Sequence, residues 1–164
     1  MGNQDFVREV YDASYRRLVA QMFALCGDQH EAEEVVQEAF VKALNQGRTF
    51  AGLHNPEAWL RTVAVNQLRS RWRRFALWRH LMPRLPGTAH VAELSPDHVA
   101  LVHALAGLPL PLREVVVLHH VADLPTAEIA ATLGVAEGTV KSRLVKARSL
   151  LAASLADDEE PKHV

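Results

Sequence analysis

A single cysteine, Cys26, leaves this 164-residue chain no internal disulfide to form. It also has no neighbouring metal partners, so a reduced, cytoplasmic setting is the expectation. No apolar run approaches the ~20 residues that cross a bilayer, and the opening MGNQDFVREV has no apolar core of a secretory signal. There is no H-E-x-x-H, no P-loop and no G-x-S-x-G, and so no motif for metal, nucleotide or acyl-transfer chemistry. No catalytic residue, metal, cofactor or small-molecule substrate is expected. Internal repeats and paired strand patterns are also missing. The chain reads as all-α, with 49% hydrophobic residues to build a core.

Net charge is scarce as well, at −1, but it is strongly segregated. Residues 28–38 hold five acids and no Lys or Arg, residues 61–84 seven arginines and no acid, and residues 157–160 are four consecutive acids. Such blocks point to partners of opposite sign that the average hides.

Residues 125–151, PTAEIAATLGVAEGTVKSRLVKARSLL, carry the densest pattern. Ile129, Ala130 and Leu133 form one apolar helical face, and Gly134 ends it. After a turn over 135–138, Val140, Leu144, Ala147 and Leu151 form a second such face. A small residue, a turn glycine four later and a packing valine beyond it have helix-turn-helix spacing. The remaining face holds Thr139, Ser142, Val145, Lys146 and Ser149, flanked by Lys141, Arg143 and Arg148. A basic face without acids suits a recognition helix in a phosphate-walled major groove.

Upstream, residues 5–25 read as a helix with Phe6, Val10, Leu18, Met22 and Leu25 on its apolar side. Asp28 with Glu31 gives a capping-box start to a second helix reaching about residue 45. Its core side is Ala32, Val35, Val36, Ala39, Phe40, Ala43 and Leu44, and its exposed side includes Glu34, Gln37 and Glu38. Residues 46–54 read as a loop. Asn55-Pro56 starts a third helix to about residue 78, expected to bury Leu60, Ala64, Leu68, Trp72 and Phe75 and to expose Thr62, Asn66, Arg69 and Arg73. Prolines and a glycine interrupt residues 79–94, the expected flexible linker. Ser95-Pro96 opens a helix to residue 105, and another spans 111–121. The expectation is two small helical domains, 1–78 and 95–156, with an acidic tail over 157–164.

Residues 108–151 resemble region four of the extracytoplasmic-function (ECF) sigma factors of bacterial RNA polymerase, within the sigma-70 family. EAEEVVQEAFVKAL and NPEAWLRTVAVNQLRSRWRR, earlier in the chain, resemble their region two. The resemblance implies promoter-specific transcription initiation with core RNA polymerase. It assigns Glu34, Gln37 and Glu38 to the clamp coiled coil of the β′ subunit. It assigns Thr49, Phe50, His54, Asn66, Arg69, Arg73 and Arg74 to opening and holding the −10 element. It assigns Thr139, Lys141, Ser142, Arg143, Val145, Lys146 and Arg148 to the −35 element, the region-four domain also meeting the β flap. It further implies an anti-sigma factor as a partner. In this chain Glu34 stands where the family commonly has Asp, and the linker is basic and apolar where family linkers are often acidic.

Two other classes of function compete. His30, Glu31, Glu34 and Glu38 could suggest a carboxylate metal site, but the first and third helices offer no matching ligands in register. A one-component regulator would read duplex DNA with the same helix-turn-helix. That reading leaves unexplained an arginine-rich helix preceded by an acidic one.

Overall fold

The computed structural model describes residues 2–81 and 96–159, and all the regular structure among them is helical. The chain divides into two compact units, Met1–Ala92 and Glu93–Val164.

In the first unit, α1 (Asn3–Cys26), α2 (Gln29–Gln46) and α4 (Pro56–Leu81) pack against one another, with the single turn α3 (Arg48–Ala51) between the last two. Gly27, in the left-handed region at φ 71°, ends α1, and its N–H donates to the Phe23 carbonyl. Asp28 then caps α2 by accepting from the Glu31 N–H at 2.9 Å, worth about 1 kcal/mol. Asn55 does the same for α4 through the Ala58 N–H. Leu18, Met22, Leu25, Val35, Val36, Ala39, Leu60, Ala64, Val65 and Leu68 fill the shared core. Cys26 is half-buried behind it, its Sγ 3.2 Å from the Asp28 carbonyl, and burial pushes its thiol up to about 12.

Four expectations are corrected here. Residues 46–54 are not all loop, because residues 48–51 make one helical turn. Phe50 at its centre is 1% exposed and meets Phe6 and Trp59 edge-on at 6.0 and 5.3 Å. Leu44 is 45% exposed, because it lines an open hollow between α1 and α2 with Val7, Tyr11, Phe40 and Val41 instead of closing onto the core. Trp72 is half-buried and Phe75 is 56% exposed, since no described side chain of α4 beyond Leu68 is buried. Finally, α4 continues through residues 79–81, where no proline or glycine stops it before Pro83. Residues 82–94 of the expected linker, Ser95, and the tail from residue 160 lie outside the described residues.

Arg61 leaves the arginine block altogether. It is 5% exposed, donating through Nε to Gln21 Oε1 at 3.0 Å, with Glu57 at 3.4 Å. Glu57 in turn binds Arg17 at 2.7 Å. A buried guanidinium needs such partners, since desolvation alone costs several kcal/mol.

In the second unit, α5 (Pro96–Ala106) is followed by α6 (Leu110–Val116). The chain then widens into a π-helical turn (Val117–Val121), where an uninterrupted helix was expected over 111–121. The Ala122 N–H reaches back to the Val117 carbonyl, and His119 Nδ1 lies 3.1 Å from the Leu124 carbonyl. Asp123 takes the left-handed conformation at φ 54°, tolerable for a short polar side chain. Arg113 donates to the carbonyls of Leu105, Ala106 and Leu108, satisfying the end of α5. Helices α7 (Thr126–Leu133) and α8 (Glu137–Glu159) follow. Gly134 between them sits at φ 68°, and the N–H groups of Gly134 and Val135 both donate to the Ala130 carbonyl. Ile129, Ala130, Leu133, Val140, Leu144 and Ala147 are all buried. This is the helix-turn-helix expected from the spacing, with its second helix starting at Glu137 and its turn shortened to Val135 and Ala136.

Candidate functional site

Three polar faces emerge from these helices. The first lies on α2. Ala32, Val35, Val36 and Ala39 turn inward, which leaves Glu34, Gln37 and Glu38 together on the outer side. Gln37 is exposed, its amide 3.4 Å from the Tyr15 hydroxyl. Glu34 and Glu38 are only half-exposed, because Arg71 reaches across from α4 between them. Its Nη1 donates to Glu34 Oε2 at 2.7 Å and its Nη2 to Glu38 Oε1 at 2.6 Å. His30 approaches the other Glu34 oxygen at 2.9 Å. Hydrogen bonding from Arg71, assisted by His30, holds the Glu34 carboxyl below its usual range. Burial works against the Arg71 charge, but the two carboxylates outweigh it and raise its pKa. The stripe is therefore a partly neutralised fork. Among the described residues, no cluster of His, Cys, Asp or Glu could hold a metal ion.

Sequence reasoning missed this role of Arg71. The run of arginines gives no sign of which member faces α2. Beside Gln37, a hollow of about 350 Å³ between α1 and α2 is lined by Val7, Tyr11, Phe40, Val41 and Leu44, with Gln4 and Arg8 at its edge.

The second face runs along α4. Trp59, Asn66 and Arg73 recur every seven residues and share a side, so Asn66 stands about 10 Å along the axis from Trp59. Trp59 touches Phe50 of α3. Asn66, Arg73 and Arg74 are exposed, and Arg69 is half-exposed. Thr49 and His54 are exposed on and just after α3. Phe50 is withdrawn from this set. A ring with 1% exposure cannot meet a base, and it serves instead to anchor the segment that carries Thr49 and His54.

The third face is the outer side of α8. Ser142, Val145, Lys146 and Arg148 are exposed, Val145 at 66%, while Thr139 and Arg143 are half-exposed. Lys141 is exposed too, 3.6 Å from Glu137. Glu137 accepts from the Thr126 hydroxyl at 2.7 Å, and this bond, with Lys141, lowers its pKa. That contact ties α7 to the first turn of α8. An apolar Val145 between Ser142 and Lys146 offers a groove both a thymine-methyl contact and hydrogen-bonding groups.

The sequence matches the sigma-70 region 2 family over residues 10–79 and the sigma-70 region 4 family over residues 98–151. It is 34% identical to the ECF RNA polymerase sigma factor SigL of Mycobacterium tuberculosis, over 84% of this chain and 82% of that protein. It is 27% identical to the ECF RNA polymerase sigma factor SigW of Bacillus subtilis, over 95% and 92%. Among solved structures it resembles the sigma factor RpoE of Bartonella quintana, crystallised with the anti-sigma factor NepR. The TM-score there is 0.77 at 28% identity, covering 95% of this chain and 99% of that one.

Proposed function

Because this chain belongs to the ECF sigma factors of the sigma-70 family, which bind core RNA polymerase and direct promoter-specific transcription initiation, we propose a division of that work among its three faces. The first unit docks on the polymerase β′ clamp coiled coil through Glu34, Gln37 and Glu38. It opens the −10 element with Thr49, His54, Asn66, Arg69, Arg73 and Arg74. The second unit meets the β flap and reads the −35 element with Thr139, Ser142, Val145 and Lys146, while Lys141, Arg143 and Arg148 hold phosphate. The chain acts in the cytoplasm without catalysis of its own, and an anti-sigma factor holds it in reserve, as NepR accompanies the Bartonella protein. The observation that carries this reading is the division of α8. Val140, Leu144 and Ala147 are spent on the core, which leaves Ser142, Val145 and Lys146 facing outward.

Run-off transcription with core polymerase, alongside duplex binding by variants, tests it. Lys146→Ala is expected to cost about 1–3 kcal/mol on the preferred −35 sequence and little on others. Arg148→Ala should weaken all sequences nearly alike and flatten the salt dependence. Loss of only salt-dependent, sequence-blind affinity in both variants would remove the groove-reading assignment.

For docking, Glu38→Gln is the informative change. Charge reversal would set a second cation against Arg71 and confuse stability with binding. The amide keeps an acceptor for Arg71, and the Glu38 side chain is 46% exposed, so thermal stability should shift by only about 1 kcal/mol. Affinity for core polymerase should nevertheless fall. Undiminished affinity would reject the docking face.

A further inference from the structure

Arg71 belongs by position to the DNA-facing helix and by contact to the docking face. It sits on α4 amid Arg69, Arg73 and Arg74, yet its guanidinium is closed on Glu34 and Glu38 of α2. Arg74 lies three residues on, exposed and on the neighbouring side of the helix. A guanidinium on a flexible stem can swing between such sides when its partners are taken. We propose that Arg71 is a shared ligand that couples docking to DNA binding. The carboxylates hold it within the chain, and it turns to a DNA phosphate beside Arg74 when cations of the polymerase occupy Glu34 and Glu38. The inference rests on the docking and −10 readings given above and adds a link between them.

The physical argument is one of competition for charge. Glu34 and Glu38 are 43% and 46% exposed at the side chain, so a partner can reach them, whereas Arg71 is only 23% exposed. A carboxylate engaged by an incoming cation holds its earlier donor less strongly. The released charge stands next to an exposed arginine, where a phosphate gains a second contact. Coupling of this kind is reciprocal: DNA that captures Arg71 must strengthen docking by the same factor.

A double-mutant cycle on the full chain reads it directly, with a short fluorescent oligothymidylate as the probe and no polymerase present. In the parent chain Arg71→Ala should alter oligonucleotide affinity less than about 2-fold, because the side chain is engaged elsewhere. In the Glu34→Gln/Glu38→Gln background, neutral amides hold the guanidinium less strongly. There Arg71→Ala should weaken binding roughly 5-fold or more, at the low end of ordinary coupling. It should also reduce the salt slope by about 0.7, the value for one phosphate on a single strand. A purely additive field of charges would make the two Arg71→Ala effects equal, and that result overturns the proposal. Arg73→Ala/Arg74→Ala in the parent chain is the separate check on the −10 reading. If that pair leaves oligonucleotide binding untouched, the DNA-facing helix itself is misassigned and the coupling falls with it. Core affinity of Glu38→Gln tests the docking reading independently of both.

Discussion

Phe50→Ala is expected to destabilise the first unit by about 3–5 kcal/mol, the usual cost of emptying a buried phenylalanine site. The ring is 1% exposed and edge-on to Phe6 of α1 and Trp59 of α4. It is thus a pin between three helices, and edge-to-face pairs add to simple burial. The turn it sits on is four residues long, too short to persist alone. Gly47, immediately before it, holds a positive φ of 56° that other residues resist. Removal of the ring therefore takes away the main reason for residues 48–54 to stay in place. Thermal or urea unfolding followed by helical circular dichroism would show the loss, and Phe50→Leu should recover much of it. An exposed base-contacting ring would cost no more than about 0.5 kcal/mol on truncation. A loss below about 1 kcal/mol would therefore return Phe50 to the surface.

Strand opening is where the other large effect is expected. Asn66→Ala combined with His54→Ala should leave the fold, polymerase binding and −35 recognition intact, because both side chains are exposed. It should reduce open-complex formation by about 100-fold, the equivalent of the few kcal/mol that an unstacked, unpaired base costs. Phosphate contacts from Arg69, Arg73 and Arg74 cannot supply that selectively, since they are blind to sequence. Compensation has to come from groups that meet the base itself. Asn66 can offer both donors and an acceptor, and it shares its side of α4 with Trp59, against which the Phe50 turn rests. Permanganate reactivity of −10 thymines, on a promoter that has them, reports the opening. Wild-type reactivity in the double variant would exclude these two residues. An unopened promoter with the unaltered chain and core polymerase would count against the division of faces as a whole.

Helix order and the helix-turn-helix were legible in the sequence because local chemistry writes them. Asp28, Asn55 and Gly134 each impose a backbone start or stop, and Val140, Leu144 and Ala147 repeat at helical spacing. What escaped depends on neighbours distant in sequence. Phe50 is one apolar residue in a glycine-flanked segment, with no periodicity to show that Phe6 and Trp59 close over it. The arginines of α4 look alike as letters. Arg61 is drawn into the core by Gln21 and Glu57, and Arg71 is drawn across by Glu34 and Glu38, while Arg73 and Arg74 stay exposed. The reach of the apolar stripe was overstated for a related reason. Phe75 continues the helical period, but a period says nothing about where the neighbouring helices end. The π-helical turn before Asp123 left no mark that spacing could reveal, because the residues around it read as an ordinary helix.

The half-buried thiol has a practical consequence for labelling this chain. With its pKa pushed to about 12, Cys26 is ionised at neutral pH to only about one part in 10⁵, and the thiolate is the form that alkylating dyes attack. It is also the chain's sole cysteine. The unaltered protein thus comes with a silent background for site-directed labelling. A cysteine placed at an exposed position such as Ser149 on α8 or Lys42 on α2 would take up maleimide far faster than the native one. Fluorescence or spin-label reporters can then be put on either unit without first removing Cys26 and disturbing the junction between α1 and α2.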